Sequence, residues 1–258
     1  MGAPARPTGS DGLFARRYRL LEELGSGGSA VVCRVADTLD DGRILALKTL
    51  RPDRDAGPAA CQRLREEFRA KIELQHPNTV AVVDLGEDDD GRPYLLMEHV
   101  AGRGLDQLMA DGPLEIGLAC DLLAQLLLAL GFVHGRQYLH RDVKPENVRV
   151  TPEGALKLMD FGLLQPLEAA AGGRLAGTIG YIAPEVLAPG PLDARVDLFA
   201  AGALAFEMLT GRSAFADDPV SLVTACRRLI DRHPANGPIW WLCARTLLAS
   251  DPADEAWR

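Results

Sequence analysis

The amino-acid sequence predicts an α+β protein of two lobes, a small β-rich lobe followed by a larger helical lobe. Short apolar runs separated by turn residues dominate residues 18–100, whereas helix-like stretches dominate the chain after Gly104. One helix-like segment interrupts the strand-rich half. A strand-rich half followed by a helix-rich half is the order typical of this fold class.

The first half contains five predicted strands bounded by turn signals, namely Leu20–Gly25, Ala30–Asp37, Arg43–Leu50, Val80–Glu87 and Pro93–His99. Asp40-Asp41-Gly42 and the acidic run that ends at Gly91 are typical of hairpin turns. A helix over Ala59–Gln75 is predicted to end before Pro77, because proline disfavours helical backbone in the residue before it.

The second half contains five predicted helices, namely Leu105–Ala110, Leu114–Arg136, Ala194–Thr210, Val220–Asp231 and Pro238–Ala249. The most apolar run, Ile116–Val133, contains Asp121 and Gln125, which favour a buried helix over a membrane span. Residues 1–17 are rich in Gly, Ala and Pro, so we expect a flexible tail without a signal peptide.

Composition and charge narrow the class of protein. The 258 residues are 47% hydrophobic and 25% charged, as in an ordinary soluble globular protein. A net charge of −8 argues against nucleic acid as the main partner, because no basic surplus is present to neutralise phosphates. The five cysteines lie far apart without metal-ligand spacing, which favours reduced thiols and a cytoplasmic location.

A glycine-rich segment, Leu24–Val32, lies between the first two predicted strands. Glycines let a backbone approach phosphate groups closely, although an ordinary glycine hairpin fits the segment at least as well. Ala30 replaces the third glycine of the usual pattern. A strand follows instead of a helix, which excludes a dinucleotide-binding turn.

Lys48 lies on the third predicted strand, where a lysine is commonly an edge residue that reaches water. A lysine that faces a phosphate site needs a carboxylate to hold its ammonium group. Glu67 on the following helix is the candidate, with Glu66 as the nearest alternative.

The most specific segments are His140-Arg141-Asp142-Val143-Lys144-Pro145-Glu146-Asn147 and Asp160-Phe161-Gly162. They resemble the catalytic and metal-binding loops of eukaryotic-like (Hanks-type) bacterial serine/threonine protein kinases. Gly177–Glu185 and the pair formed by Asp197 and Gly202 follow in the family's order. The resemblance extends from Tyr18 to about Asp251. It implies a bilobal protein-kinase-like fold over residues 18–258, with an N-lobe at 18–97, a hinge at 98–104 and a C-lobe at 105–258 whose last helix is absent or cut short.

The resemblance implies an enzyme that transfers the γ-phosphoryl group of ATP to serine or threonine hydroxyls of proteins, with Mg²⁺ or alternatively Mn²⁺. Asp142 would accept or orient the proton of the substrate hydroxyl, and Lys144 would stabilise the transferring group. Asn147 and Asp160 would hold the metal ions, because hard cations prefer oxygen ligands.

The resemblance also implies a nucleotide site in which Lys48, fixed by Glu67, holds the α- and β-phosphates. Met97 would be the gatekeeper beside the adenine. The residues assigned to ATP binding are Leu24, Gly25, Ser26, Gly27, Gly28, Val32, Ala46, Lys48, Met97, Glu98, Val100 and Arg149.

Lys144 and Thr178 together resemble the serine/threonine class rather than the tyrosine class. Thr178 and Glu185 would belong to the substrate-facing activation segment. Arg141 and Asp197 would be structural, with Asp197 tying the catalytic loop to the helical core.

Two departures from the family concern packing. Arg149 stands where a leucine or methionine usually forms the floor of the adenine pocket. Either the pattern is shifted by one residue, or the stem of Arg149 packs flat under the base, or nucleotide affinity is altered. Lys71 stands in a normally apolar spine that includes His140 and Phe161, where it would weaken the packing of the active state. This suggests an inactive resting state that a partner relieves.

Two further departures concern regulation and the C-terminus. Arg141 usually pairs with a phosphorylated loop, but residues 163–177 contain no Ser, Thr or Tyr. Thr178 is available, but it belongs to the substrate-facing segment and is a poor switch. We therefore expect no control by loop phosphorylation, with Glu168 as a fixed partner of Arg141. The family commonly has an arginine near position 255 that pairs with Glu185, but this chain has Glu255 there. The ion pair with Glu185 is therefore not expected unless Arg258 provides the arginine.

The alternative functions are a pseudokinase scaffold that signals by conformation and, less favoured, a small-molecule phosphotransferase. The expected partner is a protein substrate in signal transduction, and not nucleic acid. Flanking sensor or scaffold domains, or an activating partner, are also expected if the chain is one part of a longer protein. The sequence does not specify the oligomeric state.

Overall fold

The computed structural model describes residues 12–26, 30–50, 61–62, 64–65, 68, 72, 74–172, 177–178, 180–187 and 189–214. The chain divides into two compact units, Met1–Ala101 and Gly102–Arg258. The first unit is built on a β-sheet and the second mainly on helices, so the predicted α+β class is confirmed.

The first unit contains a five-stranded antiparallel sheet in the order β1-β2-β3-β5-β4. Its strands are β1 (Tyr18–Ser26), β2 (Ala30–Asp37), β3 (Arg43–Leu50), β4 (Val82–Glu87) and β5 (Pro93–Glu98). The predicted bounds of β2 and β3 are confirmed. Asp41 and Gly42 in the turn between them adopt φ angles of 44° and 74°, which suits the mirror-image turns that join hairpins.

One face of this sheet forms an apolar core because side chains alternate along each strand. Residues at alternate positions of β2, β3 and β5 are buried there together with two aromatic residues from before and at the start of β1. The cluster consists of Phe14, Tyr18, Val31, Cys33, Val35, Leu45, Leu47, Tyr94 and Leu96.

The prediction that the flexible tail extends to residue 17 is wrong for residues 14–17. Phe14 is only 3% exposed and its ring lies 5.2 Å from that of Tyr94. Arg17 donates two hydrogen bonds to Asp37, at 2.8 and 2.6 Å. An aromatic ring and a partly buried ion pair therefore fix residues 14–17 to the sheet, which the small and polar composition before them did not indicate.

The helix predicted over Ala59–Gln75 is described only in part. Cys61, Gln62, Leu64, Arg65, Phe68 and Ile72 are helical. Glu66, Glu67 and Lys71 lie outside the described residues, as do Gly27 and Gly28 of the glycine-rich segment.

The second unit contains three described α-helices, α1 (Leu105–Met109), α2 (Ile116–Gly135) and α3 (Arg195–Thr210). Five short strands accompany them: β6 (Arg103–Gly104), β7 (Tyr138–Leu139), β8 (Val148–Val150), β9 (Leu156–Leu158) and β10 (Gln165–Pro166). They form a three-stranded sheet in the order β6-β8-β9 and a pair β10-β7. The two predicted helices after residue 214, and Arg258, lie outside the described residues.

The core of the second unit lies between α2, α3 and the β8–β9 hairpin. Fully buried leucines such as Leu122, Leu130 and Leu204 meet Val148 and Leu158 there. By length and composition α2 would suffice to cross a membrane, with a mean hydropathy of 2.1, but a third of that window is buried inside the unit. Core helices of soluble proteins meet the same criterion, so this resemblance to a membrane span is weak evidence.

Candidate active site

The loop that contains Asp142 runs from β7 to β8 in the second unit. Pro145 begins a short 3-10 turn that ends at Asn147, and its fixed φ angle suits the first position of such a turn. The N–H of Asn147 donates to the carbonyl of Lys144 at 3.1 Å. This compact turn brings the side chain of Asn147 back toward Asp142.

Three polar side chains converge on Asp142. Asn147 Nδ2 donates to the carbonyl oxygen of Asp142 at 2.7 Å and to Oδ2 at 2.8 Å. Lys144 Nζ lies 2.9 Å from the same Oδ2. Thr178 Oγ1 donates to Oδ1 at 2.9 Å and accepts from Lys144 Nζ at 2.7 Å. The predicted residues Asp142, Lys144, Asn147 and Thr178 therefore form one connected network.

Asp197, in the first turn of α3, holds the backbone of this loop through hydrogen bonds. Its side chain is 1% exposed and accepts from the backbone N–H of Arg141 at 2.7 Å and of His140 at 2.8 Å. His134 Nε2 lies 2.8 Å from Asp197 Oδ2. Burial alone would raise the pKa of Asp197, but these hydrogen bonds and the nearby imidazoles lower it below its ordinary value.

His140 links the Asp142 loop to the segment that carries Asp160. Its ring is fully buried, and burial lowers its pKa, so it stays neutral at neutral pH. Nε2 lies 3.0 Å from the carbonyl of Met159, and Nδ1 accepts from the N–H of Asp142 at 3.3 Å. These contacts fit a single neutral tautomer that carries its proton on Nε2.

Asp160 follows Met159, whose N–H and carbonyl are both hydrogen-bonded to the Asp142 loop. The N–H of Met159 donates to the carbonyl of Asn147 at 2.7 Å, and its carbonyl meets His140. Asp160 has a φ of 34°, and its Oδ1 accepts from the N–H of Gly162 at 3.2 Å. Phe161 is 1% exposed and its ring contacts His140 edge-on at 4.8 Å.

Gly177 places Thr178 in the network. Its φ is 118°, and a Cβ at this position would lie 3.0 Å from the carbonyl oxygen of Arg141. The glycine therefore allows a close approach of two backbones that another residue would oppose. Glu185 lies farther along, in the 3-10 turn Pro184–Leu187, where burial raises the pKa of its carboxyl and Arg195 counteracts only part of that effect.

The structure gives Arg141 a different partner from the one predicted. Its guanidinium donates to Gln165 Oε1, and no ion pair between Arg141 and Glu168 is present among the described residues. The prediction that Glu168 pairs with Arg141 is therefore wrong in this structure. Glu168 lies in an exposed 3-10 turn, Leu167–Ala169, whereas Gln165 lies on β10 beside the Arg141 loop.

Arg149 lies on β8 opposite Gly104 of β6. Its guanidinium donates to the carbonyl of Gly102, while its Nε is buried without a hydrogen-bond partner in the described part of the chain. The charged end of Arg149 is thus held by the backbone that begins the second unit.

In the first unit, strand register aligns most of the residues predicted to contact ATP. Val32 pairs with Lys48, and Ala46 pairs with Met97. Opposite residues and residues two apart share a face of a sheet, so these four side chains lie on the face opposite the aromatic core. Gly25 belongs to the same row because it pairs with Val32.

The remaining predicted ATP-binding residues lie at strand ends. Leu24 is 39% exposed in β1, Ser26 ends that strand, and Val100 is buried after β5. The N–H of Glu98 donates to the carbonyl of Ala81 at 2.9 Å, and its carboxylate accepts from the N–H of Ala81 at 2.9 Å. Any contact of Glu98 with an adenine would therefore use its carbonyl oxygen.

The sequence did not indicate two residues that contribute to this arrangement, His134 and Gln165. His134 lies at the end of a predicted helix and Gln165 in a segment without a recognisable pattern. Neither position carries a local signal, because each acts through a partner that is remote in sequence.

Comparison with known proteins agrees with this geometry. The protein kinase domain family matches residues 18–233. The serine/threonine-protein kinase PrkC of Bacillus subtilis is 36% identical over 228 residues, which cover 87% of this chain and 35% of that protein. PksC of Streptomyces coelicolor, also named a serine/threonine-protein kinase, is 37% identical over 227 residues, or 83% of this chain and 41% of that protein.

The kinase pkn3 of Myxococcus xanthus is 33% identical over 217 residues, 80% of this chain and 40% of that protein. The chain thus spans about a third to two fifths of the length of these relatives. The family match covers most of the chain and contains the whole Asp142 network. This chain therefore belongs to the protein kinase domain family.

Proposed function

We propose that this chain is the catalytic domain of a serine/threonine protein kinase, which transfers the γ-phosphoryl group of Mg-ATP to serine or threonine hydroxyls of a protein. The observation that carries the proposal is the network around Asp142, in which a carboxylate, an ammonium group, an amide and a hydroxyl meet within hydrogen-bond distance. Phosphoryl transfer requires positioning and neutralised charge rather than covalent help from the protein, and these groups supply both.

Asp142 is the group that would orient the substrate hydroxyl and take its proton. One of its carboxylate oxygens receives Asn147 and Lys144 and the other receives Thr178, so the orientation of the carboxylate is fixed. Lys144 would place its positive charge near the transferring group and stabilise the charge on its oxygens. An incoming hydroxyl would replace the hydroxyl of Thr178 at Oδ1, the group that now occupies a comparable position.

Asn147 and Asp160 fit the role of metal ligands. The amide nitrogen of Asn147 donates twice to Asp142, so its oxygen is the atom left to face a cation. Mg²⁺ is commonly bound by one or two protein oxygens together with substrate phosphates and water. When bound, the metal would neutralise phosphate charge. Lys48, with Glu67, would bind the phosphates, and Val32, Ala46 and Met97 would line the adenine site.

The test is transfer of labelled γ-phosphate from Mg-ATP to a generic Ser/Thr protein substrate and to the chain itself. Asp142→Asn is the matched control, because it keeps the size of the side chain and removes the carboxylate. We expect transfer by the wild type, and a loss of at least about a hundredfold in Asp142→Asn, the usual contribution of a general base. EDTA should abolish the transfer and added Mg²⁺ should restore it.

Three other outcomes would each contradict a part of this proposal. No transfer, together with a nucleotide-induced rise in melting temperature, would overturn catalysis and favour the pseudokinase scaffold. Transfer to a small molecule but not to any protein would favour the small-molecule phosphotransferase. Equal transfer by the wild type and Asp142→Asn would contradict the role given to Asp142.

A further inference from the structure

The segment after Asp160-Phe161-Gly162 cannot be ordered by its own phosphorylation in the usual way. Residues 163–177 contain no Ser, Thr or Tyr. Kinase activation segments are often ordered when a phosphate on the segment pairs with an arginine. Here the arginine is present as Arg141, but residues 163–177 offer no phosphate acceptor and the hydroxyl of Thr178 bonds Asp142 and Lys144. In this structure Arg141 has a partner of another kind.

Arg141 is held rigidly in the catalytic loop. Its φ of 66° lies in the left-handed region, which is unfavourable for a residue with a side chain. The backbone N–H of Arg141 donates to the buried carboxylate of Asp197 at 2.7 Å, and this contact helps to maintain the conformation. The guanidinium is partly buried and donates to Gln165 Oε1.

Gln165 uses both ends of its amide. Its oxygen accepts from Arg141, and its Nε2 donates to the carbonyl of Ala169 at 2.7 Å. The backbone of Gln165 pairs with Leu139, directly before the His140-Arg141-Asp142 motif. A single neutral side chain therefore connects the catalytic loop to the turn at residues 167–169.

Beyond that turn the segment is tied to the body of the second unit. Ala170 is 5% exposed and its carbonyl accepts from the N–H of Leu192 at 3.0 Å. The N–H of Gly172 donates to the carbonyl of Gly190 at 2.8 Å. Ala170 and Gly172 are thus anchored through backbone hydrogen bonds.

We propose that Gln165 is a positioning residue, which holds Arg141 and the activation segment together and makes catalysis independent of phosphorylation of this segment. The inference rests on the proposed kinase function. Gln165 contacts no reacting atom and acts through Arg141, the residue directly before Asp142.

The electrostatics of the site suggest an informative variant. Arg141 Nε is buried and has no hydrogen-bond partner within the described residues. A carboxylate at position 165 would keep the acceptor and add the charge that a phosphate would supply. Gln165→Glu should therefore preserve the contact with Arg141 but lose the donor to the carbonyl of Ala169, whereas Gln165→Leu keeps the approximate size and removes both hydrogen bonds.

The experiment compares the wild type, Gln165→Leu, Gln165→Glu and the control Gln75→Leu, which changes an exposed glutamine in the other unit. Each full chain is first treated with phosphatase, and kcat and KM for Mg-ATP are then measured. We expect unchanged activity in the treated wild type and in the control. Gln165→Leu should lose about tenfold in kcat, the effect of one hydrogen bond to a charged group, with KM for Mg-ATP nearly unchanged. Gln165→Glu should retain at least the wild-type kcat.

A second measurement does not depend on activity. Amide hydrogen exchange at Leu167 and Ala170 should accelerate in both Gln165→Leu and Gln165→Glu, because each variant loses the donor to the carbonyl of Ala169, whereas the control Gln75→Leu should leave exchange unchanged. Unchanged kcat and unchanged exchange in Gln165→Leu would overturn the proposal, as would loss of activity when the wild type is dephosphorylated. If the wild type transfers no phosphate at all, the proposed function fails, and the exchange data alone decide the role of Gln165.

Discussion

Asp197→Asn is the substitution for which the structure gives the sharpest expectation. The carboxylate is 1% exposed and accepts from two backbone N–H groups and from His134. Asparagine has the same shape but offers one oxygen and one NH₂ group. At least one of the two backbone donors would therefore face another donor and remain buried without a partner.

The expected magnitude follows from these contacts. A hydrogen bond to a charged group contributes about 1.5–3 kcal/mol, and a buried donor left without an acceptor costs about 1–3 kcal/mol. Because asparagine retains one acceptor, the expected loss is about 3–5 kcal/mol, in the range for breaking a buried charged contact. For a domain of this size that loss lowers Tm by roughly 6–20 °C.

The assay is urea unfolding of the wild type and Asp197→Asn, with Asp193→Asn as the matched control. Asp193 precedes the same helix, but its side chain is 49% exposed and pairs with Arg195, so its loss should cost at most about 1 kcal/mol. A difference below about 1 kcal/mol between the wild type and Asp197→Asn would refute the assignment of Asp197 as the support of the loop.

The pH dependence gives an independent check. The pKa of Asp197 is lowered in the folded state, so the stability it contributes is present above its unfolded pKa of about 4. That contribution is lost as the pH falls through the lower, folded pKa. The difference in free energy of unfolding between the wild type and Asp197→Asn should therefore be constant near neutral pH and shrink below about pH 4. A constant difference down to pH 2 would contradict this.

Three further outcomes are expected. Gly177→Ala should lower the free energy of unfolding by about 1–3 kcal/mol, because it places a side chain on a strained backbone conformation. The control Gly131→Ala, on a helix with open space around the new methyl group, should raise the free energy of unfolding by about 0.5–1 kcal/mol. Asp37→Asn should cost about 1–3 kcal/mol in urea unfolding, since it removes the charge and one of the two acceptors for Arg17, and a cost no greater than that of an exposed pair would be contrary evidence. Arg149→Met should change the Kd for Mg-ATP less than about threefold, under 1 kcal/mol, because the guanidinium of Arg149 is hydrogen-bonded to the carbonyl of Gly102. A tenfold change in Kd, measured by calorimetry, would instead support a direct effect of Arg149 on nucleotide affinity.

The strands that the sequence predicted best are those with strong local signals at both ends. Ala30–Asp37 alternates in burial, and a turn with positive φ angles joins it to Arg43–Leu50. The five short strands of the second unit were not predicted, because a run of two or three residues has no period to recognise. Their pairing is imposed by the surrounding fold. The burial of Phe14 was missed for a similar reason, since it depends on Tyr94, far along the chain.

The candidate site shows the same limit more sharply. Its residue types were predicted because the family resemblance identifies them, yet their contacts join residues that are distant in sequence. Thr178 is 36 residues from Asp142, and Asp197 is 57 residues from His140. No periodicity or turn rule relates positions at such separations. A resemblance supplies them only where the family's motif names both partners, as it does for Asp142 and Asn147.

The contact between Arg141 and Gln165 has no such motif, and the sequence therefore led to the wrong partner. Charge complementarity favours Glu168, three residues after Gln165, because its carboxylate could replace the charge of a phosphate. Strand pairing determines the observed partner, because β10 pairs with β7 and so brings Gln165 beside the Arg141 loop. A hydrogen bond from a charged donor to a neutral amide costs less desolvation than burying a carboxylate. A partly buried site can therefore prefer the amide even though charge complementarity alone favours the acid.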